Sequence, residues 1–213
     1  MMRYESILFD LDGTLLNTNE LILQTFNHTL KEILGITVPK EQIFATFGRP
    51  LGEIMAEFDA ERAELLLTTY RAYNAQIHDD YVTLFDQAED TLASLKALGL
   101  KLSVVTSKKG DIAHHGLAHF DLERYFDAFV GPEDTLEHKP DPAPAREALK
   151  RLQCPPETAI MVGDSPYDIL CGQRAGCQTA AVRYSVHAAQ ELEALHPTFM
   201  LDTLADLLPI VTA

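Results

Sequence analysis

Two aspartates one residue apart, Asp10 and Asp12, close a short apolar run of Ile7, Leu8 and Phe9 and are followed by Gly13 and Thr14. An apolar run that ends in acids reads as a buried strand delivering carboxylates to its carboxyl end, where open α/β sheets keep their chemistry. Carboxylates this close repel unless a cation or a shared proton holds them, so the pair points to a hard metal with oxygen ligands. A solvated Asp-Gly turn at a strand end fits the same residues.

Three later segments carry polar groups of related kind. Val104 and Val105 lead into Thr106, Ser107, Lys108 and Lys109. A hydroxyl with free backbone N–H groups at a strand-to-helix junction suits a phosphate oxygen, and it equally suits a helix cap. Lys139 stands before Pro140, with Asp141 and Pro142 expected as cap and first-turn residue of a helix. A lysine pointed from a stiff loop at an acid cluster neutralises a nucleophile and a phosphoryl group together; a lone lysine is more commonly a solvated surface charge. Finally, the run Ala159 to Val162 meets Gly163, Asp164, Ser165, Pro166, Tyr167 and Asp168. Asp164 and Asp168 are four apart and share a face at the opening of a helix, where the helix dipole favours one acid but does not explain the strand-Gly-Asp context.

The elements that must position these residues form an interrupted α/β pattern. After the first strand, Ile22, Phe26, Thr29 and Ile33 fall at helical spacing up to Gly35, and Leu66, Tyr70, Tyr73 and Ile77 repeat it. Nothing between Leu16 and about Tyr81 reads as a strong strand, so a helical insertion after the first strand is expected. From Asp86 the βα rhythm resumes: a helix to about Leu98, a strand Lys101–Val105, a helix near Ile112–Phe120 and a short strand near Phe126–Val130. A helix from Asp141 to about Leu152 follows, then the strand Ala159–Val162, a helix, and a strand near Thr179–Val182. Strands alternating with helices imply a parallel sheet with right-handed crossovers.

Composition narrows the partners. The chain of 213 residues is long enough for one core plus an insertion, and 17 Lys and Arg against 32 Asp and Glu give a net charge of −15. That balance argues against nucleic acid or an anionic membrane surface, whereas phosphate binding then needs a local cation and a placed basic residue. No run reaches the ~18 apolar residues of a membrane span, and Asp10 arrives too early for a signal peptide, so a cytoplasmic location is expected. Cys154, Cys171 and Cys177 are odd in number without C-x-x-C spacing, and are expected as buried free thiols.

Taken together, Asp10, Asp12, Thr106, Lys139, Asp164 and Asp168, in this order and at these strand ends, resemble the haloacid dehalogenase superfamily of phosphohydrolases. The resemblance spans essentially the whole chain. It implies a Rossmann-like three-layer α/β core with a parallel sheet, residues 1–15 and 82–213, and an inserted helical cap, residues 16–81. It also implies Asp10 as a nucleophile forming an aspartyl phosphate, Asp12 as general acid and then base, Thr106 on a phosphoryl oxygen and Lys139 screening charge. The resemblance further implies Mg²⁺ on the Asp10 carboxylate, the Asp12 backbone carbonyl and Asp164, with Asp168 on the metal through water or orienting Lys139. Gly13, Ser107 and Lys108 are expected around the phosphoryl group.

Substrate choice would fall to the cap, where Arg49 is the expected second anion contact, with an ordinary solvated arginine as the alternative. A narrower likeness lies in Asn17–Glu20, Thr69–Asn74 and Pro197–Leu201, which look like bacterial inorganic pyrophosphatases allied to phosphoglycolate phosphatases. Arg49 departs toward the phosphoglycolate phosphatase pattern. The expected substrate is therefore pyrophosphate, with phosphoglycolate or another small phosphate monoester as the first alternative and a phosphosugar mutase reaction as the second. A receiver-like binding module clusters similar groups, but has no place for the insertion after Asp12 or for the strand-end Asp164. No oligomeric state is legible.

Overall fold

The computed structural model describes residues 3–213. Its centre is a six-stranded, all-parallel sheet. The strands, in chain order, are β1 (Ser6–Phe9), β4 (Lys101–Val105), β5 (Ala128–Val130), β6 (Ala159–Gly163), β7 (Gln178–Val182) and β8 (Phe199–Leu201), lying side by side as β5-β4-β1-β6-β7-β8. The acid-bearing β1 therefore runs between β4 and β6, with Phe9 level with Val104 and Val162. This register puts Asp10, Thr106 and Asp164 at one edge of the sheet.

Alternation along the strands explains why the sheet is sandwiched. Ile7, Phe9, Leu102, Val104, Ile160 and Val162 enter one apolar cluster, while Leu8, Val105 and Met161 enter another on the opposite face. Both faces being covered, the strands read as continuous apolar runs. One layer of helices is α5 (Ala88–Ala97), α6 (Gly110–His119) and α10 (Leu207–Thr212); the other contains α7 (Ala143–Leu152) and α8 (Pro166–Ala175). The short α9 (Ala189–Glu193) follows β7. This is the expected three-layer α/β core.

Between β1 and α5 the chain leaves the sheet and returns. It exits through β2 (Leu16–Asn17) and re-enters through β3 (Thr83–Leu84), which pair antiparallel as a two-residue ladder. Between them lie α1 (Asn19–Leu34), α2 (Lys40–Phe44), α3 (Leu51–Phe58) and α4 (Ala63–Tyr81). The expected helical periodicity holds: Phe26 and Thr29 of α1 and Leu66, Tyr70 and Ile77 of α4 are buried. Gly35, in the left-handed conformation at φ 68°, ends α1 and donates its N–H to the Lys31 carbonyl. These helices share their own apolar cluster, including Phe26, Leu30, Ile43, Ile54, Met55, Leu66 and Tyr70. No helix among the described residues is long and apolar enough to cross a membrane, and Cys154, Cys171 and Cys177 are buried free thiols.

Candidate active site

The acid cluster is built from strand ends. Asp10 follows β1 directly, its N–H bonded to the Val162 carbonyl at 2.9 Å. Asp164 follows β6, and Asp168 sits in the first turn of α8. Lys139 arrives from the loop before α7. Its Nζ donates to Asp10 Oδ1 at 2.5 Å, to Asp168 Oδ1 at 2.6 Å and to the Val105 carbonyl at 3.2 Å. All four side chains are buried. Of the two readings open for Lys139, the structure thus rejects the solvated surface charge.

The other oxygen of Asp168 is also engaged, receiving the Ser165 N–H at 3.0 Å and its Oγ at 2.6 Å. Asp168 is therefore a brace between the start of α8 and Lys139. Gly163 permits this approach, because a Cβ there would collide with the Asp168 side chain. Gly13, at φ +85°, serves Asp164 in the same way: a Cβ would occupy the position of the Asp164 carboxylate. Among the described residues the nearest donor to that carboxylate is Ser185 Oγ, 3.4 Å away and closer to the Asp164 backbone carbonyl at 2.5 Å.

Three carboxylates share this buried space with a single ammonium. Burial raises Asp10 to about 7 against the pull of Lys139, with Asp168 and Asp12 adding to the rise. Burial also raises Asp164 well above the ordinary carboxylate range, reinforced by Asp10 and Asp168. Burial opposes the Lys139 ammonium, but Asp10 and Asp168 outweigh it and hold its pKa above that of an ordinary lysine. The cluster is thus short of positive charge. Carboxylate oxygens of Asp10, Asp164 and Asp168 lie within 4.8 Å of one another. An all-oxygen, negatively charged donor set suits a hard divalent cation, with Asp10 and Asp164 as the carboxylates that retain free valence.

The remaining predicted residues surround this floor. Asp12 is partly exposed, and Lys108 Nζ pairs with its Oδ1 at 2.8 Å. Thr106 Oγ1 accepts the Lys108 N–H at 3.0 Å, while α6 begins only at Gly110, so Thr106 and Ser107 are not its cap. Pro142 occupies the cap position of α7, one residue later than expected, and Asp141 accepts the Ala143 N–H.

A cavity of about 650 Å³ opens above the cluster. Asp10, Asp12, Thr106, Ser107, Lys108, Lys139, Asp164 and Asp168 line its floor; Ile22, Phe26, Phe47, Arg49, Tyr70, Arg71 and Asn74 of the helical insertion line its roof. Arg49 is not free: it forms a two-pronged, solvent-exposed ion pair with Glu57 of α3. Sequence reasoning met Arg71 only within the Thr69–Asn74 likeness and gave it no role of its own; it has no ion-pair or hydrogen-bond partner among the described residues. It passed over Ser185, and it gave no site role to Ser165 or to Asn74, whose Nδ2 donates to Thr25 Oγ1. The position of Asn74 on the buried face of α4, one turn beyond Tyr70, is a signal that could have given it one.

Comparison with known proteins places these features in context. The family model of haloacid dehalogenase-like hydrolases matches residues 7–182. Pyrophosphatase PpaX of Bacillus velezensis is 41% identical over 98% of this chain and 96% of its own length. Pyrophosphatase PpaX of Bacillus cereus is 40% identical over 99% and 98%. Among solved structures, a haloacid dehalogenase-like family hydrolase from Streptococcus pneumoniae superposes with TM-score 0.87 at 26% identity, covering 98% of both chains. A protein from Haemophilus somnus described as a predicted phosphoglycolate phosphatase gives 0.86 at 25% identity, covering 99% of both.

Proposed function

Because the chain belongs to the haloacid dehalogenase-like hydrolases, we propose that its acid cluster hydrolyses inorganic pyrophosphate to two phosphates through an aspartyl phosphate on Asp10. The observation that carries this reading is the Lys139 bridge between Asp10 and Asp168 at the floor of a cavity roofed by the insertion. The full-length likeness to proteins named pyrophosphatase supports the choice of substrate.

In this mechanism the Asp10 carboxylate forms a bond to one phosphorus as the bridging P–O bond breaks. Asp12, reaching the cavity from the loop after β1, donates a proton to the leaving phosphate. It then takes a proton from water, whose oxygen bonds to phosphorus and releases Asp10 and the second phosphate. Lys139 offsets the charge that gathers on Asp10 and the phosphoryl oxygens, and Thr106 and the nearby backbone N–H groups hold those oxygens. The Asp10 and Asp164 carboxylates and the Asp12 carbonyl would hold Mg²⁺, which when bound neutralises phosphoryl charge and polarises the P–O bonds. Asp168 keeps Lys139 aimed. Residues 16–81 act as a cap over residues 1–15 and 82–213, excluding water while Asp12 is poised. In the cap, Arg71 is the cation available to the second phosphate, since Arg49 is committed to Glu57. The three buried free thiols fit a cytoplasmic enzyme.

Steady-state rates with Mg²⁺ on pyrophosphate, phosphoglycolate and sugar phosphates test the substrate. Pyrophosphate should give the highest kcat/KM. A tenfold preference for phosphoglycolate would move the assignment to the monoester reading that the Haemophilus somnus likeness favours. An isomerised sugar phosphate in the phosphorus NMR spectrum would move it to a mutase.

A further inference from the structure

A second group of side chains able to ligate a metal lies one helical turn beyond Asn74 and Ile112 of the cavity wall, where the insertion returns to the sheet. His78 and Asp79 occupy the last turn of α4, and His115 and His119 stand one turn apart on α6. Asp79 Oδ1 lies 2.8 Å from His78 Nδ1, 2.8 Å from His115 Nε2 and 3.6 Å from His119 Nδ1. Donor atoms of His78, Asp79 and His115 all fall within 4.8 Å of one another.

Ligand bonds of ~2.0–2.1 Å in a tetrahedral zinc site separate the donor atoms by roughly 3.3 Å. The three observed separations straddle that spacing. Two histidines at i and i+4 on one helical face present their imidazoles to a single ion, the arrangement that zinc-binding helices use. The fully buried His78 ring has no partner at Nε2, so Nδ1 makes its one polar contact, inside the cluster. His115, His119 and Asp79 are one-third to one-half exposed, which leaves a path for an ion. Gly116 allows α6 to come down onto this corner, since a Cβ there would press on Leu16 and on His78 Nε2.

His78 and His115 already take the two lone pairs of Asp79 Oδ1, while His119 Nδ1, at 3.6 Å, stands beyond hydrogen-bond reach of it. The donor chemistry also differs from that of the acid cluster. Nitrogen-rich sites select zinc-like cations, whereas oxygen-only sites select magnesium-like ones. We infer that His78, Asp79 and His115, with His119 beside them, form a binding site for a borderline divalent transition cation, Zn²⁺ foremost, that staples the last helix of the insertion to α6 beside the β2–β3 ladder.

Tag-free, chelator-stripped protein titrated with Zn²⁺ in millimolar Mg²⁺, with Co²⁺ as a spectroscopic substitute, tests the site. Wild type should bind one Zn²⁺, give the visible bands of four-coordinate Co²⁺ and gain thermal stability. The doubly substituted His115→Gln, His119→Gln protein, checked for folding by circular dichroism, should bind Zn²⁺ about a hundredfold or more weaker and lose the Co²⁺ bands. Asp164→Asn should retain them. Zn²⁺ binding that survives the histidine substitutions and vanishes in Asp164→Asn would overturn the site, as would the absence of binding at micromolar Zn²⁺.

Discussion

The floor and roof of the cavity are built on opposite physical plans. The floor is ionic and buried, its parts fixed by strand ends and by short contacts from Lys139 to Asp10 and Asp168. The roof is mostly apolar, made by Ile22, Phe26, Phe47 and Tyr70, with Phe26 and Tyr70 meeting edge to face at 5.0 Å between centroids. Its cations are carried by a short connection and a helix face rather than by the sheet. Under the proposed function the difference separates two tasks: bond breaking needs charges that cannot move, whereas selection of a leaving group needs a surface that can be changed without disturbing them.

Substitutions should separate the two plans. The largest effect is expected from Asp10→Asn, which removes the proposed attacking carboxylate; kcat should fall by a thousandfold or more on every substrate (~4 kcal/mol of barrier). Retention of full hydrolysis would remove the nucleophile from the floor altogether. Next comes Lys139→Met, which strands two buried carboxylates and should cost about 3–5 kcal/mol of stability in urea unfolding at pH 7 in EDTA. Burial already raises Asp10 against the ammonium, so without Lys139 its folded pKa lies above the unfolded one. A group raised in this way contributes stability that is lost as pH rises through the folded pKa, so the deficit should shrink on going from pH 7 to pH 5. The smallest effect should come from the roof: Arg71→Ala should raise KM severalfold and leave kcat within about twofold, in steady-state assays on pyrophosphate. A collapse of kcat there would erase the division between floor and roof.

The floor was also the more legible part. Ile7–Phe9, Lys101–Val105 and Ala159–Val162 are apolar runs long enough to announce buried strands, and polar residues at their ends stand out against them. Short elements were silent. β2 and β3 are two residues each, too brief for any periodicity, and β8, α9 and α10 were likewise unread. α2 and α3 are short and bounded by Pro39 and Pro50, so their apolar spacing never completes a convincing repeat. Partnerships across the chain were equally hidden. That Arg49 pairs with Glu57, or that the second oxygen of Asp168 is taken by the Ser165 hydroxyl, depends on backbone geometry that residue types do not carry.

The two-residue ladder of β2 and β3 has an architectural consequence. Leu16 faces Leu84 and Asn17 faces Thr83, so the excursion from the sheet starts and finishes at the same point. To the sheet, the whole roof is one closed loop. The entropy of closing such a loop grows only with the logarithm of its length, so a roof twice as large, or half, would change the stability of the sheet by under about 1 kcal/mol. The catalytic half of the molecule can therefore carry different roofs, much as a socket accepts different fittings, provided each begins and ends on that pair of strands.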